Sequence, residues 1–254
     1  MKSKIRLILT KLNLYFPIRA VLKTLIFDKK TWLGFKYLKG QGLEIGALNA
    51  PLVHLHWIKV KYLDRLTVPQ LRKQYPELAT YPLVKVDILD DGETLKNLKN
   101  NSQNFIIAHH FLEHCQDPIA TIKNHLRVLK KGATLYLAVP DHRFNVDSLI
   151  PPTTLTHLIN DHQKDLPANR RGQKSSYQSH INNWAYFVDN KRGKSLTNYI
   201  KYLININYSI HFHQWTKKEL AELFTYLKND LKLSFEMKEF IFNRKEYLVI
   251  LKKI

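Results

Sequence analysis

The amino-acid sequence predicts an α/β fold: a mostly parallel, seven-stranded sheet with helices on both faces and an antiparallel hairpin at the C-terminus. Three observations support this prediction. Short apolar segments alternate with helical patterns from Gly42 onward, two further apolar segments follow each other near the C-terminus, and 44% hydrophobic with 11% aromatic residues is the composition of a folded chain. Strands that alternate with helices form parallel sheets, whereas two consecutive strands form a hairpin.

The predicted strands are short apolar segments bounded by loop or helix signals. Five belong to the parallel part of the sheet, at residues 43–45, 60–63, 84–88, 105–108 and 134–139. Two more, at 233–241 and 247–251, are joined through Asn243 and Arg244 and form the hairpin.

Helical patterns separate the later strands, at residues 69–75, 93–98 and 117–129. After Pro140 the alternation stops, which indicates an insertion over about 141–215 with helices at 155–163 and 178–187. Thr216, followed three residues later by Glu219, predicts the capping box of a last helix to about residue 227. The sequence therefore predicts one domain over 41–254 that contains this insertion.

Residues 1–40 form a separate segment that is basic and amphipathic. Apolar residues recur at helical spacing from Ile5 to Phe16 between lysines and arginines, and a second short helix is expected over 17–27. Such a segment either lies on an anionic membrane surface or packs on the core of the domain. No apolar stretch approaches the roughly 20 residues that a membrane-spanning helix requires.

The net charge of +19 indicates anionic partners, a class that includes phosphorylated substrates, nucleic acid and acidic lipid surfaces. The single cysteine, Cys115, excludes an intramolecular disulfide and a zinc site with several cysteines. A cytoplasmic protein is therefore expected, either free or peripheral to the inner face of the membrane. The sequence does not determine the oligomeric state.

Three motifs follow the first three predicted strands, where the carboxyl ends of parallel strands meet. Gly46 follows the first strand, and a glycine there lets the backbone approach a ligand closely. Asp64 and Asp87 end the next two strands, and Asp64 occupies the position from which a carboxylate reaches ribose hydroxyls. Leu48 and Ala50 stand where a dinucleotide's pyrophosphate would need glycines, so the expected ligand is a nucleoside without phosphates.

These motifs and the segments after them resemble, in the same order, those of class I S-adenosylmethionine-dependent methyltransferases, which have a Rossmann-like fold. The resemblance is carried by Glu44-Ile45-Gly46, Asp64, Asp87, the segment from Ile106 to His114, the helix end from Arg127 to Gly132 and the strand from Leu135 to Pro140. The C-terminal hairpin resembles the last two strands of that fold. The closest likeness is to bacterial methyltransferases of saccharide and cell-envelope biosynthesis, so a role in polysaccharide biosynthesis is expected.

The resemblance implies S-adenosyl-L-methionine as the cofactor and assigns residues to its parts. Glu44, Gly46 and the loop from Ala47 to Asn49 would contact the methionine portion, Asp64 the ribose, Asp87 and Ile88 the adenine, and His109 with its neighbours would close the pocket. Of the family's glycine-rich turn only Gly46 is retained, although Asn49 tolerates left-handed backbone geometry.

Histidines are the expected acid–base groups. The cofactor's sulfonium already activates the methyl group, so the protein has to align an acceptor and, for a hydroxyl, remove its proton. His114 and His142 are predicted as catalytic bases, and the predicted acceptor-binding residues are His110, Arg143, His211 and His213. For each histidine the alternative is a hydrogen-bonded structural role, and no metal site is predicted.

Four functions compete on these features. O-methylation of a saccharide or lipid-linked saccharide precursor is the leading prediction, and a non-catalytic binding or membrane-associated scaffold is the alternative. RNA methylation is less favoured because no RNA-binding module accompanies the domain. The segment from His110 to His114 also matches H-x-x-E-H, a helical zinc motif of peptidases, but the preceding strand and the following Asp117-Pro118 leave little room for a long metal-binding helix.

Overall fold

The computed structural model describes residues 28–163 and 175–254, together with Leu14. The amphipathic pattern at 5–16, the helix predicted at 17–27 and their membrane contact therefore lie outside the described residues. Within the described ranges, no helix is both long and apolar enough to cross a membrane.

The strands form one mixed sheet with the order β3-β2-β1-β4-β5-β7-β6. They are β1 (Gln41–Ile45), β2 (Lys59–Asp64), β3 (Ile88–Leu89), β4 (Gln103–His109), β5 (Leu129–Pro140), β6 (Phe235–Asn243) and β7 (Glu246–Lys253). The first five are parallel, and β7 is antiparallel to β5 and to β6. The predicted sheet is confirmed, including its C-terminal hairpin.

The strand order reverses at β1. From β1 the chain continues outward to β2 and β3, and it then crosses back to β4 on the other side of β1. Such a reversal opens a crevice beyond the carboxyl ends of the two central strands, because the connections leave them in opposite directions. Ligands of open α/β sheets bind in this crevice, so the topology selects the end of the sheet where a site is expected.

Helices cover both faces of the sheet, as predicted. In the described ranges they are α1 (Lys29–Tyr37), α2 (Val68–Gln74), α3 (Pro118–Val128), α4 (Leu155–Gln163), α5 (Ser175–Asn183), α6 (Gly193–Asn205) and α7 (Lys217–Asn229). Helices α3 and α7 pack on one face through residues such as Ile122 and Leu223, whereas α1 packs on the other through Leu33. The end of the predicted N-terminal segment thus contributes to the core of the domain.

Two helix starts follow the capping signals in the sequence. The Asp117 carboxylate accepts a hydrogen bond from Ala120 N at 2.9 Å and precedes Pro118, the first residue of α3. At the start of α7, Thr216 N donates to the Glu219 carboxylate at 2.9 Å within a capping box. Each carboxylate accepts hydrogen bonds from backbone N–H groups that have no partner within the helix.

Two predicted elements differ from the structure. The third strand is limited to Ile88–Leu89, and residues 84–87 form a loop that Asp87 N fastens to Tyr62 O at 2.8 Å. Residues 93–98 form turns in place of the predicted helix. The Asp90 carboxylate accepts from the backbone nitrogens of Asp91 and Asn97, and such local bonds compete with helical ones.

The insertion has a small core of its own. The helix predicted at 178–187 corresponds to α5 and the wider helical turn that continues it, Trp184–Val188. Helix α6 was not predicted, because it begins at Gly193 and glycine normally indicates a loop. The buried apolar residues of this core are Ile181, Ala185, Leu203, Ile210 and Phe212. Arg65, just after β2, donates to Asn207 O at 3.0 Å and ties the insertion to the end of the sheet.

Candidate functional site

A cavity of about 360 Å³ lies at the carboxyl ends of β1, β2 and β4. Its floor includes Gly46 after β1, Asp64 at the end of β2, and His110 and His114 after β4. The insertion covers it with Trp184, Asn207, Tyr208, Ser209 and Phe212. The volume falls within the range of about 300–1,000 Å³ that is typical of small-molecule sites. The cavity therefore occupies the crevice that the strand order predicts.

The turn after β1 has an unusual backbone. Gly46 has a φ of 63°, and a Cβ added there would meet only Phe111 Cδ2 at 4.0 Å, so the backbone conformation and not crowding requires the glycine. Leu48 also has a positive φ, 49°, whereas Asn49, for which the sequence suggested this geometry, does not. A left-handed non-glycine residue costs about 1–2 kcal/mol, and such strain is concentrated at functional sites.

Asp64 is the one predicted carboxylate that lines the cavity. Leu66 N donates to its Oδ1 at 3.1 Å, which fixes the orientation of the carboxylate. Burial raises the pKa of Asp64 above its ordinary value, and hydrogen bonds from the following backbone oppose this rise. The position and the fixed orientation are those expected of a group that accepts hydrogen bonds from a ligand.

Glu44 and Asp87 lie outside the cavity lining, unlike the sequence-based assignment. Because side chains alternate along a strand, Glu44 points to the face opposite that of its neighbour Ile45. It is 2% exposed and accepts from Leu52 N at 2.8 Å, and Asp87 accepts from Tyr62 N at 3.0 Å. Burial first, and then the charges of these two carboxylates, raise the pKa of Tyr62 to about 12. Both carboxylates thus fasten loops beside the site.

Three further residues assigned to the cofactor also lie outside the cavity lining: Ala47, Ile88 and His109. The His109 ring packs edge-on against Tyr136, with 4.4 Å between the ring centroids. The next residues in sequence, Leu48 after Ala47 and His110 after His109, line the cavity in their place. A shift of one position is enough to reverse the direction of a side chain at a strand end.

His110 is a cation at the edge of the cavity. Its Nε2 lies 2.8 Å from Glu246 and its Nδ1 lies 3.5 Å from Glu113. Burial alone would lower the pKa of His110, but the interactions with the Glu113 and Glu246 carboxylates outweigh burial and raise the pKa to about 9. Burial alone would raise the pKa of Glu246, but the interactions with His110 and Lys30 outweigh burial and lower the pKa to about 2. At neutral pH His110 is therefore a hydrogen-bond donor and not a base.

This network predicts a pH dependence of stability. A histidine whose pKa is raised from its ordinary value of 6.5 to about 9 stabilises the fold fully below pH 6.5, and the contribution is lost as the pH rises to about 9. Between these values, we expect the free energy of unfolding to fall more in the wild type than in His110→Gln. Urea unfolding of both proteins at several pH values across this interval measures the difference. Parallel pH profiles would contradict this assignment of charge.

His114 has the geometry of a neutral base. Its Nδ1 lies 2.8 Å from the carbonyl oxygen of Ile210, which can only accept, so Nδ1 carries the proton and Nε2 keeps its lone pair. Burial lowers the pKa of His114 to about 4, although the charge of Glu113 opposes this. The His211 ring packs edge-on against it at 4.7 Å, and His211 Nδ1 lies 3.0 Å from Asp147.

The remaining residues predicted for catalysis or acceptor binding lie outside the cavity lining: His142, Arg143, His211 and His213. His142 is buried outside the cavity lining, where its backbone nitrogen donates to Trp215 O at 2.9 Å. Arg143 pairs with Asp141 of its own chain at 2.6 Å. His213 is completely buried inside the insertion, and burial is the main reason that its pKa lies well below the ordinary value. Of the two predicted bases, only His114 reaches the cavity.

The aromatic cover of the cavity was not predicted. Trp184, Tyr208 and Phe212 belong to the insertion, and Tyr75 follows α2. Their position depends on how the insertion folds back over the sheet. The local sequence contains no periodic pattern that indicates this, since the three insertion residues lie in a wide helical turn and a loop.

The zinc-peptidase interpretation of His110 to His114 is wrong. Residues Leu112–His114 form one short 3-10 turn, and Asp117 then caps α3. His110 has a φ of 49° and contacts Glu246, whereas His114 contacts Ile210 O. The two histidines therefore do not share one face of a helix, as that motif requires.

Comparison with known proteins relates this geometry to a family. The family model described as "Methyltransferase domain" matches residues 61–225, which is more than half of the chain. A search among curated proteins found no match.

Three solved structures are among those to which the chain is similar. An S-adenosylmethionine-dependent methyltransferase from Aquifex aeolicus has 11% identity and a TM-score of 0.44, over 86% of this chain and 84% of that chain. One from Methanosarcina mazei has 19% identity and a TM-score of 0.43, over 86% and 95%. A Rhodobacter sphaeroides protein named as a candidate zinc-dependent alcohol dehydrogenase has 10% identity and a TM-score of 0.51, over 89% and 90%. At such identity the last likeness shows the fold alone.

Proposed function

Since the chain belongs to the methyltransferase-domain family, whose methyl donor is S-adenosylmethionine, we propose that it methylates a hydroxyl group of a saccharide or a lipid-linked saccharide precursor. The observation that carries the proposal is that Asp64 and His114 line the same cavity. A ribose-binding carboxylate and a neutral base are thereby available to one bound complex.

The residues of the cavity fit the cofactor. Asp64, oriented by Leu66 N, would accept hydrogen bonds from the ribose hydroxyls. At Gly46 the absent side chain leaves open space, so the methionine portion could lie close to the backbone. Leu48, Leu63 and Leu71 provide apolar wall for the adenine. When bound, the cofactor supplies a methyl group that its sulfonium makes electrophilic.

The chain's own contribution is alignment and proton transfer. His114 Nε2 is unprotonated at neutral pH and would receive the proton of the acceptor hydroxyl, while Ile210 O holds the ring in the required tautomer. His211, oriented by Asp147, lies beside this ring and supports its position. The cover formed by the insertion would separate the reacting groups of a bound complex from bulk water.

The choice of a saccharide acceptor is supported by the aromatic cover of the cavity. Trp184, Tyr208 and Phe212 provide flat apolar surfaces against which the C–H faces of sugar rings can pack. A volume of about 360 Å³ accommodates one cofactor-sized ligand, so only the methylated end of the acceptor would enter.

Calorimetry with S-adenosylmethionine and with its demethylated product tests the first part of the proposal. We expect saturable binding of both by the full chain at a 1:1 ratio. Absence of binding to either would contradict an enzymatic role and favour a non-catalytic scaffold of the same fold.

Methyl incorporation into a panel of nucleotide sugars and lipid-linked saccharides tests the acceptor class, with a total RNA preparation as the comparison. We expect transfer to at least one saccharide and none to RNA. Transfer to RNA alone, with steep salt dependence of binding, would replace the saccharide proposal.

A further inference from the structure

A compact group of potential metal ligands lies in the insertion, outside the cavity lining. His157 and Asp161 are one turn apart on α4, His180 lies on α5, and His213 precedes α7. Each side chain offers one ligand atom, and the four atoms all lie within 4.8 Å of one another. We call these residues the His₃Asp cluster.

Three distances within the His₃Asp cluster lie near those between ligand atoms around a tetrahedral ion. His157 Nε2 lies 3.2 Å from His180 Nε2 and 3.1 Å from Asp161 Oδ2, and His180 Nε2 lies 3.8 Å from the same oxygen. Zinc–nitrogen bonds of about 2.0–2.1 Å in tetrahedral geometry place neighbouring ligand atoms about 3.3–3.4 Å apart. Three of the ligand atoms therefore lie near the spacing that coordination to one ion requires, and His213 offers a fourth within 4.8 Å of them.

Hydrogen bonding within the protein does not account for all four groups. His213 is 0% exposed, and neither of its ring nitrogens makes a hydrogen bond of normal geometry among the described residues, although the backbone of Gln116 lies close to the ring. Burying a polar group without a partner is costly, and coordination to an ion would remove this cost. The carboxylate of Asp161, itself 3% exposed, adds the negative charge that a cation requires.

We propose that the His₃Asp cluster binds one divalent transition-metal ion, zinc in the first instance, in a closed structural site. Three imidazoles and one carboxylate are ligands that zinc prefers, and four protein ligands leave no open position for a substrate. One ring nitrogen of His213 would coordinate the ion, and the backbone of Gln116 would orient the ring from its other side.

Such an ion would join three segments that are far apart in the sequence and hold the cover of the cavity. Trp184 and Phe212 line the cavity. Trp184 follows His180 by one helical turn, and Phe212 immediately precedes His213. A second group with metal-ligand chemistry consists of Glu113, His114 and His211, of which His114 lines the cavity. In this group His114 and His211 already have protein partners at Nδ1. Metal content alone would not distinguish the two groups, so variants are needed.

The test uses the full chain, purified without a histidine tag and without added metal. We expect elemental analysis to find about one zinc per chain, or chelator-treated protein to take up one equivalent of zinc or cobalt. Cobalt in the site is expected to give the strong visible absorption of tetrahedral coordination. Failure of the wild type to retain or take up a stoichiometric metal would overturn the proposal.

Five variants locate the ion. His180→Gln, His213→Gln and Asp161→Asn are each expected to lower zinc affinity at least about 100-fold, since losing even an outer-shell partner costs about 10–100-fold. His162→Gln is the matched control, because His162 shares α4 with His157 but pairs with Asp117. Equal zinc binding in all variants, or its loss in His114→Gln instead, would overturn the assignment to the cluster.

A stability measurement guards against variants that fail to fold. Zinc added to chelator-treated wild-type protein is expected to raise the midpoint of thermal unfolding by about 5 °C or more, because the ion binds only the folded arrangement of the ligands. The control variant should show the same rise. No change in the midpoint of the wild type would speak against a structural ion.

Discussion

Replacing His114 by Gln is expected to lower kcat for methyl transfer to a hydroxyl acceptor by about 10²–10⁴-fold, the typical contribution of a positioned general base. The glutamine amide can still donate to Ile210 O, as His114 Nδ1 does, but it has no lone pair that can take up a proton at neutral pH. Initial rates at saturating cofactor and acceptor measure the effect. Cofactor affinity should change little, because only the proton acceptor has been removed.

His142→Gln provides the comparison, since the sequence assigned the two histidines the same role. His142 is buried outside the cavity lining, so its replacement is expected to alter stability more than kcat. Wild-type turnover in His114→Gln, or a larger loss in His142→Gln, would show that the cavity residue is not the base.

Replacing Asp64 by Ala is expected to weaken the binding of S-adenosylmethionine by about 100-fold or more. The carboxylate would accept two charge-assisted hydrogen bonds from the ribose, each contributing about 1.5–3 kcal/mol, and every 1.4 kcal/mol is a tenfold change in Kd. Calorimetric titration with the cofactor and its demethylated product measures the loss. The stability of the variant should also be measured by urea unfolding, because Asp64 accepts a hydrogen bond from Leu66 N and its loss could affect the fold.

Asp87→Ala is the matched control for this prediction. Asp87 is the acid that ends the loop before the neighbouring strand, and it accepts from Tyr62 N instead of lining the cavity. We expect its replacement to change cofactor affinity by no more than about fivefold, which is less than one charge-assisted hydrogen bond. A larger loss of affinity in Asp87→Ala than in Asp64→Ala would mean that the cofactor lies outside this cavity.

The sequence by itself determined the fold and the end of the sheet where the site lies. Period-two and period-3.6 patterns reflect which side chains must leave water. This requirement is local, so most strands and helices and the capping box of the last helix could be identified without coordinates. The order of the motifs around Gly46 and Asp64 located the crevice for the same reason: both follow strands whose carboxyl ends must meet.

Only the tertiary structure decided which side chains enter the cavity and which partners surround them. The direction of Glu44 depends on strand register, the tautomer of His114 depends on a carbonyl of the distant Ile210, and the His₃Asp cluster forms only when three segments of the insertion pack together. Contacts between residues far apart in the chain depend on packing, which no local pattern encodes. The sequence therefore indicated which types of residue the site contains, whereas only the tertiary structure showed how they are arranged.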